Sequence, residues 1–181
     1  MTQESKFSFI DNEILRGNLG IIFDHILELI YLSESIKYND VLKSSFRKTT
    51  TIYTASIIEA LLLCLLKKHK NEKDLARTNM IFRITKEIYK INNLEKIVLG
   101  KNVEETEKFK FDKINLSQIN TLCKEHKLIS SELSKRVDVM RKLRNKLHIG
   151  DLKNLENDYT KKDLEFAFSV AKEVKDLVKL S

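Results

Sequence analysis

No proline occurs anywhere in this 181-residue chain, and only four glycines do: Gly17, Gly20, Gly100 and Gly150. Those two residue types build most tight turns, because proline presets φ and glycine tolerates positive φ. A many-stranded sandwich or barrel needs such a turn roughly every 8–12 residues. This chain cannot supply them. A Rossmann or P-loop nucleotide site is excluded as well, since no glycine-rich phosphate loop is present. Hydrophobic residues make up 42% of the chain, enough to build a core. The expected fold class is therefore all-α: one helical domain over residues 1–181, a bundle of about four to six helices with few connections.

Apolar spacing predicts six helical segments. The first runs from Ile14 to Lys37, with Leu19, Ile22, Phe23, Ile26, Leu29 and Ile30 at three-to-four spacing. The second runs from Val41 to Lys68, and its late half is apolar almost all round, the mark of the most buried helix. The third is placed from Asp74 to Tyr89 on Leu75, Ile81, Ile84 and Ile88. A polar stretch from Asn92 to Asn115 reads as a mobile loop. Ser117 is taken as the cap of a fourth helix ending at His126. Ser130 or Ser131 opens a fifth, closed near Gly150. Thr160 and Asp163 form a capping-box pattern that opens the sixth, with a stripe of Leu164, Ala167, Phe168, Ala171, Val174 and Val178.

The N-terminus, Met1-Thr-Gln-Glu, has no apolar stretch behind it and does not read as a signal peptide. The most apolar run, Ile57–Leu66, contains Glu59 and is too short to span a bilayer, so it reads as a core helix. Cys64 and Cys123 both sit in apolar helical contexts, as buried thiols of a reducing compartment do. The expected location is the cytoplasm, without membrane attachment. The four histidines (His25, His69, His126, His148) show no metal-ligand spacing, so neither a metal nor a cofactor is expected. The five tyrosines do not cluster into a stacking platform for single-stranded bases.

Charge is unevenly spread. The segment from Lys124 to Lys146 holds eight basic residues against three acidic ones, +5 of the chain's +7. A basic surface concentrated on one element suits a polyanionic partner, although taken by itself a solvated lysine-rich helix face is the simpler account. A helix-turn-helix over Gln118–Lys146 is conceivable, but its second helix holds its unusual residues at the C-terminal end, whereas base contacts come from the N-terminal part of a recognition helix.

Projected at about 100° per residue, the fifth helix has a core stripe of Leu133, Val137, Met140, Leu143 and Leu147. Arg144 falls inside that stripe. His148 and Arg141 lie along its edge, with Asn145 just beyond. An arginine in an apolar stripe needs a partner, because an unpaired buried charge is costly. Two partners are open: Glu59, the lone carboxylate of the apolar second helix, or an anion supplied from outside.

The string Arg141-Lys-Leu-Arg-Asn-Lys-Leu-His-Ile-Gly150 resembles the signature of the HEPN superfamily, small helical bundles marked by Arg, a polar residue, spacers and then His. The apolar helix with its embedded glutamate (Ser56-Ile-Ile-Glu-Ala-Leu-Leu) and the stretch Leu116–Ile129 are similar to elements of the same group. The resemblance covers residues 41–180. It implies a metal-independent endoribonuclease acting as a toxin or phage-defence effector, a homodimer with motif helices facing each other, RNA as partner, and a possible antitoxin protein. In that reading His148 is the general acid or base, Arg144 holds the scissile phosphate, and Asn145 is the polar residue after the motif arginine. Lys142 and Lys146 bind flanking phosphates, with Arg136 and Lys135 further along the RNA path and Glu59 in support. The family's usual spacing is longer than the three residues between Arg144 and His148 and fits the six between Arg141 and His148, so either arginine can be the motif arginine. The position two after His148, where one toxin subfamily carries a tyrosine modified by its antitoxin, is Gly150 here.

The chemistry is coherent without a metal. RNA carries its own nucleophile, the 2′-hydroxyl; histidine titrates near neutrality, and arginine stabilises phosphate charge. Two other readings stand beside it: a non-catalytic HEPN-like module binding RNA or a nucleotide, and a helical interaction protein with a structural Arg144–Glu59 pair.

Overall fold

Asn12 opens the first helix. Its side-chain oxygen accepts from the Leu15 amide at 2.9 Å and satisfies one of the orphan donors of helix α1, Glu13–Glu34. Asn39 does the same for α2, Asp40–His69, accepting from the Leu42 amide at 2.9 Å. The structure is a computed structural model, and it describes residues 6–145 and 159–181. The chain divides into two compact units, one made of Met1–His69 and Asn115–Ser181, the other of Lys70–Ile114.

The larger unit is helical. Helix α2 runs through it, packing against α1 and against α3 (Leu116–Glu125), α4 (Ser131–Asn145) and α5 (Lys161–Leu180). Its late half supplies Ala55, Ile58, Leu61, Leu62, Leu65 and Leu66 to the core. They are joined there by Leu122 and Cys123 of α3, Val137 and Met140 of α4, and Val170 and Val174 of α5. Its earlier half is rich in threonine, and Thr50, Thr51 and Thr54 are buried. Each hydroxyl donates to the carbonyl one turn back, at 2.8–2.9 Å, so no polar group is buried unsatisfied by these side chains. By length and hydropathy α2 is able to cross a bilayer, contrary to the shorter run expected from the sequence, and 56% of its apolar window is buried within the fold.

The remaining helices form close to where the sequence places them. Asn115 and Gln118, rather than Ser117, make the capping box of α3, because the asparagine oxygen reaches the Gln118 amide while the glutamine oxygen reaches back to Asn115. Helix α3 ends in a Schellman-type turn: Lys127 sits at φ 57° and the Leu128 amide donates to the Cys123 carbonyl at 2.8 Å. The Ser130 hydroxyl accepts from the Leu133 amide to open α4. Thr160 and Asp163 form the expected capping box of α5. In that helix Val170 is fully buried, while Phe168 and Ala171, expected in the stripe, are only half-buried.

The second unit corrects the all-α expectation. The predicted helix over Asp74–Tyr89 is a short 3-10 turn, Glu72–Leu75, followed by strand β1, Arg77–Lys90. The predicted mobile loop contains strand β2, Lys96–Glu107. The two strands pair antiparallel, from Arg77 opposite Glu107 to Lys90 opposite Lys96, with irregularities at Thr85 and Ile88. Asn92 builds the turn: its side-chain oxygen accepts from the Leu94 and Glu95 amides at 2.8 and 2.9 Å. The fold is thus mostly helical with a two-stranded hairpin, α+β rather than all-α. The helical misreading came from Ile81, Ile84 and Ile88, which match a helical period. Met80, Phe82 and Ile84 match a strand period equally well, and the β-branched and aromatic residues here favour the extended chain.

Candidate functional site

Helix α4 carries the candidate site at its C-terminal end. Leu133, Val137, Met140 and Leu143 are buried as its stripe requires. The Tyr159 hydroxyl donates to the Leu143 carbonyl at 2.9 Å, satisfying one of the last carbonyls of the helix and tying the chain after residue 158 to the site. His148 and Lys146, together with Leu147 and the expected helix end at Gly150, lie outside the described residues.

Arg144 projects from this stripe to Glu59 on α2. Its Nη1 donates to Glu59 Oε2 at 2.6 Å, a charge-assisted hydrogen bond. The Arg144 side chain is 35% exposed and that of Glu59 is 24% exposed, so the pair sits at the boundary of core and solvent. Of the two partners open to Arg144, Glu59 is in place. A guanidinium has five N–H donors and this bond uses one of them. The same side chain therefore has the geometry to hold an anion at its exposed edge while Glu59 orients it.

The neighbouring basic residues are held differently. Arg141 donates through Nε to Asp138 Oδ1 and Lys142 through Nζ to Asp138 Oδ2, both at 2.8 Å. These two cations, Lys142 first, hold the Asp138 carboxyl below its ordinary range. Asp138 entered the charge count as one of three acids but not as a partner of the basic residues, although its spacing of three and four to Arg141 and Lys142 on a helix marks the contact in the sequence. Arg136 points away from this end: it bridges to Glu173 and donates to Ser169 Oγ at 2.7 Å, both on α5. Arg136 is thus engaged in packing α4 on α5. Asn145 is the last residue of α4 and is exposed.

Lys135 and Lys142 flank a polar cleft of about 400 Å3 between α3 and α4, which Lys124 and Asp138 also line. Asn120 lies at its base, donating from Nδ2 to the Ser134 carbonyl at 2.9 Å and so joining the two helices. The structure thus brings together Glu59 with Arg144, and Arg141 with Lys142. It sets Lys135 by the cleft and Arg136 against α5.

Cys123 is buried beneath this region. Desolvation pushes its thiol up to about 12, so it carries no thiolate at neutral pH. The Cys64 thiol is also raised by burial. Among the described residues no group of three histidine, cysteine, aspartate or glutamate side chains gathers to hold a metal ion. The chain matches no family model, no curated protein sequence and no solved structure.

Proposed function

We propose that this chain is a metal-independent endoribonuclease of HEPN type, a cytoplasmic toxin or phage-defence effector that works as a homodimer with its motif helices facing each other. The observation that carries the reading is Arg144: a guanidinium rooted in an apolar stripe, oriented by Glu59 and still about a third exposed at the basic end of α4. In the reaction a base, His148, takes the proton of a ribose 2′-hydroxyl. The 2′-oxygen bonds to the adjacent phosphorus, and the bond to the 5′-oxygen breaks. The leaving oxygen takes a proton, leaving a 2′,3′-cyclic phosphate and a 5′-hydroxyl. Arg144 steadies the charge on the phosphate oxygens as it develops. Arg141 is the alternative motif arginine and Asn145 the polar residue after Arg144, Lys142 and Lys146 bind the flanking phosphates, and Lys135 acts further along the RNA backbone. Arg136, committed to Glu173 and Ser169, contributes by seating α4.

The Arg144–Glu59 bridge also favours a second reading, in which the pair is a packing device of a non-catalytic module that binds RNA, a nucleotide or another protein. The two readings separate in one experiment. Purified wild type, His148→Ala and Arg144→Ala are incubated with a mixed RNA pool in EDTA, with the ends mapped and folding checked by circular dichroism. Cleavage that leaves cyclic phosphates and is lost in both folded variants supports the nuclease. RNA retained without cleavage by a folded wild type supports the binding module.

A further inference from the structure

Among the described residues the β1–β2 sheet has two strands, so the outer edge of each strand has no strand partner there. A two-stranded ribbon is marginal in water by itself, and a free edge is a template for another strand. Large apolar side chains stand exposed on it, among them Met80, Phe82, Ile84, Tyr89, Ile97 and Leu99. Solvated hairpins do not ordinarily expose such a set, and it marks an interaction surface.

The charge along the two strands identifies the edge and the partner. Strand β2 is basic in its first half, with Lys96 and Lys101, and acidic in its second, with Glu104, Glu105 and Glu107. Laid antiparallel on a second β2, each basic half meets an acidic half. Strand β1 has Arg77, Arg83, Lys86 and Lys90 against Glu87 alone, so pairing it with itself sets like charges opposite. From this we infer that β2 pairs with β2 of a second copy of this chain, antiparallel about a two-fold axis at Val103, giving a four-stranded sheet in the order β1-β2-β2-β1.

The register follows from symmetry. Facing residues in antiparallel strands share a face, so two-fold related residues must be an even number of positions apart. An axis at Lys101 sets that lysine against its own copy, and an axis at Asn102 sets Leu99 against the partner's Glu105. An axis at Val103 sets valine on valine, places Lys101 opposite the partner's Glu105 twice, and places Asn102 opposite the partner's Glu104. Within the hairpin Lys101 stands opposite Arg83, a like charge, and Glu104 opposite Met80. Among the described residues neither Lys101 nor Glu104 has an ion-pair partner. The second copy supplies an acid to Lys101, its Glu105, whose Oε1 accepts from Arg83 of its own hairpin at 3.3 Å and whose Oε2 faces no partner among the described residues, and an amide to Glu104. This interface is separate from the motif-helix dimer of the ribonuclease reading and does not depend on it.

The test uses the full chain with Val103→Cys under mild oxidation, read as disulfide-linked dimer on a non-reducing gel. Wild type controls for Cys64 and Cys123, and Leu99→Cys, which faces the partner's Glu107, controls for chance collisions. Val103→Cys is expected to crosslink at least about tenfold faster than Leu99→Cys. In the Val103→Cys background, Lys101→Glu and Glu105→Lys each slow crosslinking by about tenfold, because each sets like charges across the axis. Mixing the two variants restores the fast rate, since every facing pair is then opposite in sign. That recovery also shows that neither variant has lost its hairpin. Equal rates for the two cysteine positions, or no recovery on mixing, would overturn the inference.

Discussion

Breaking the Arg144–Glu59 contact has a cost that the geometry bounds. Removing one partner of a fully buried pair costs about 3–5 kcal/mol, because the other charge is left desolvated. An exposed pair contributes about 0.2–1 kcal/mol. Arg144 is 35% exposed and Glu59 24% exposed, so water reaches either charge left alone and screens the interaction. Discounting for that screening, the expected loss for Arg144→Gln is about 1–2 kcal/mol. For a chain of this size that lowers Tm by roughly 3–6 °C. Glutamine keeps most of the side-chain stem packed, so the loss reports the charge rather than a cavity. The assay is urea unfolding followed by circular dichroism for wild type, Arg144→Gln, Glu59→Gln and the double variant. A coupling energy of about 1 kcal/mol is expected from the cycle. A coupling below about 0.3 kcal/mol would refute an energetically real bridge. A loss of about 4 kcal/mol or more for either single variant would refute the half-open geometry and make the pair a core staple.

Other outcomes follow from single contacts. A Cβ at Gly100 would lie 2.5 Å from the Phe82 ring and 2.6 Å from the Arg83 carbonyl oxygen, so Gly100→Val should disrupt the hairpin by about 1–3 kcal/mol, read as faster amide exchange in β1 and β2 with α2 unchanged. Lys127 holds a positive φ that glycine adopts freely, so Lys127→Gly should stabilise the chain by about 0.5–1 kcal/mol in the same urea assay. The Asp138 carboxyl is held below the ordinary aspartate range by Lys142 and Arg141, so its contribution is present above that range and is lost as pH falls through the lower folded value. Asp138→Asn should therefore be less stable than wild type at pH 7, and the gap should begin to narrow below about pH 3.9, the ordinary aspartate value, and close at still lower pH, measured as Tm against pH.

The Arg144–Glu59 contact was legible in one dimension. Arg144 shows itself as a charge in an apolar stripe, and Glu59 as the single acid of an apolar run. Two such misfits on facing helices are a prediction of contact, and the pair is formed at 2.6 Å. The roles of Arg141 and Arg136 were not legible to the same degree. Arg136 reads as one more cation of a basic helix until α5 is laid beside it, when Glu173 and Ser169 claim it.

What the amino-acid sequence alone determined is the helical majority. Apolar residues at helical spacing, caps at Ser130 and Thr160 and a chain without proline leave helices α1, α2, α4 and α5 little alternative, because each of those signals is local. Residues 77–107 carry signals for both periods, so local preference does not decide them. Ile81, Ile84 and Ile88 suit a helix, whereas Met80, Phe82 and Ile84 suit a strand. The strand wins through pairing partners that lie up to 30 positions away, Arg77 opposite Glu107 among them, and through the room above Gly100 that the Phe82 ring fills. A strand's hydrogen bonds are made to another segment, and so only the tertiary structure could choose it.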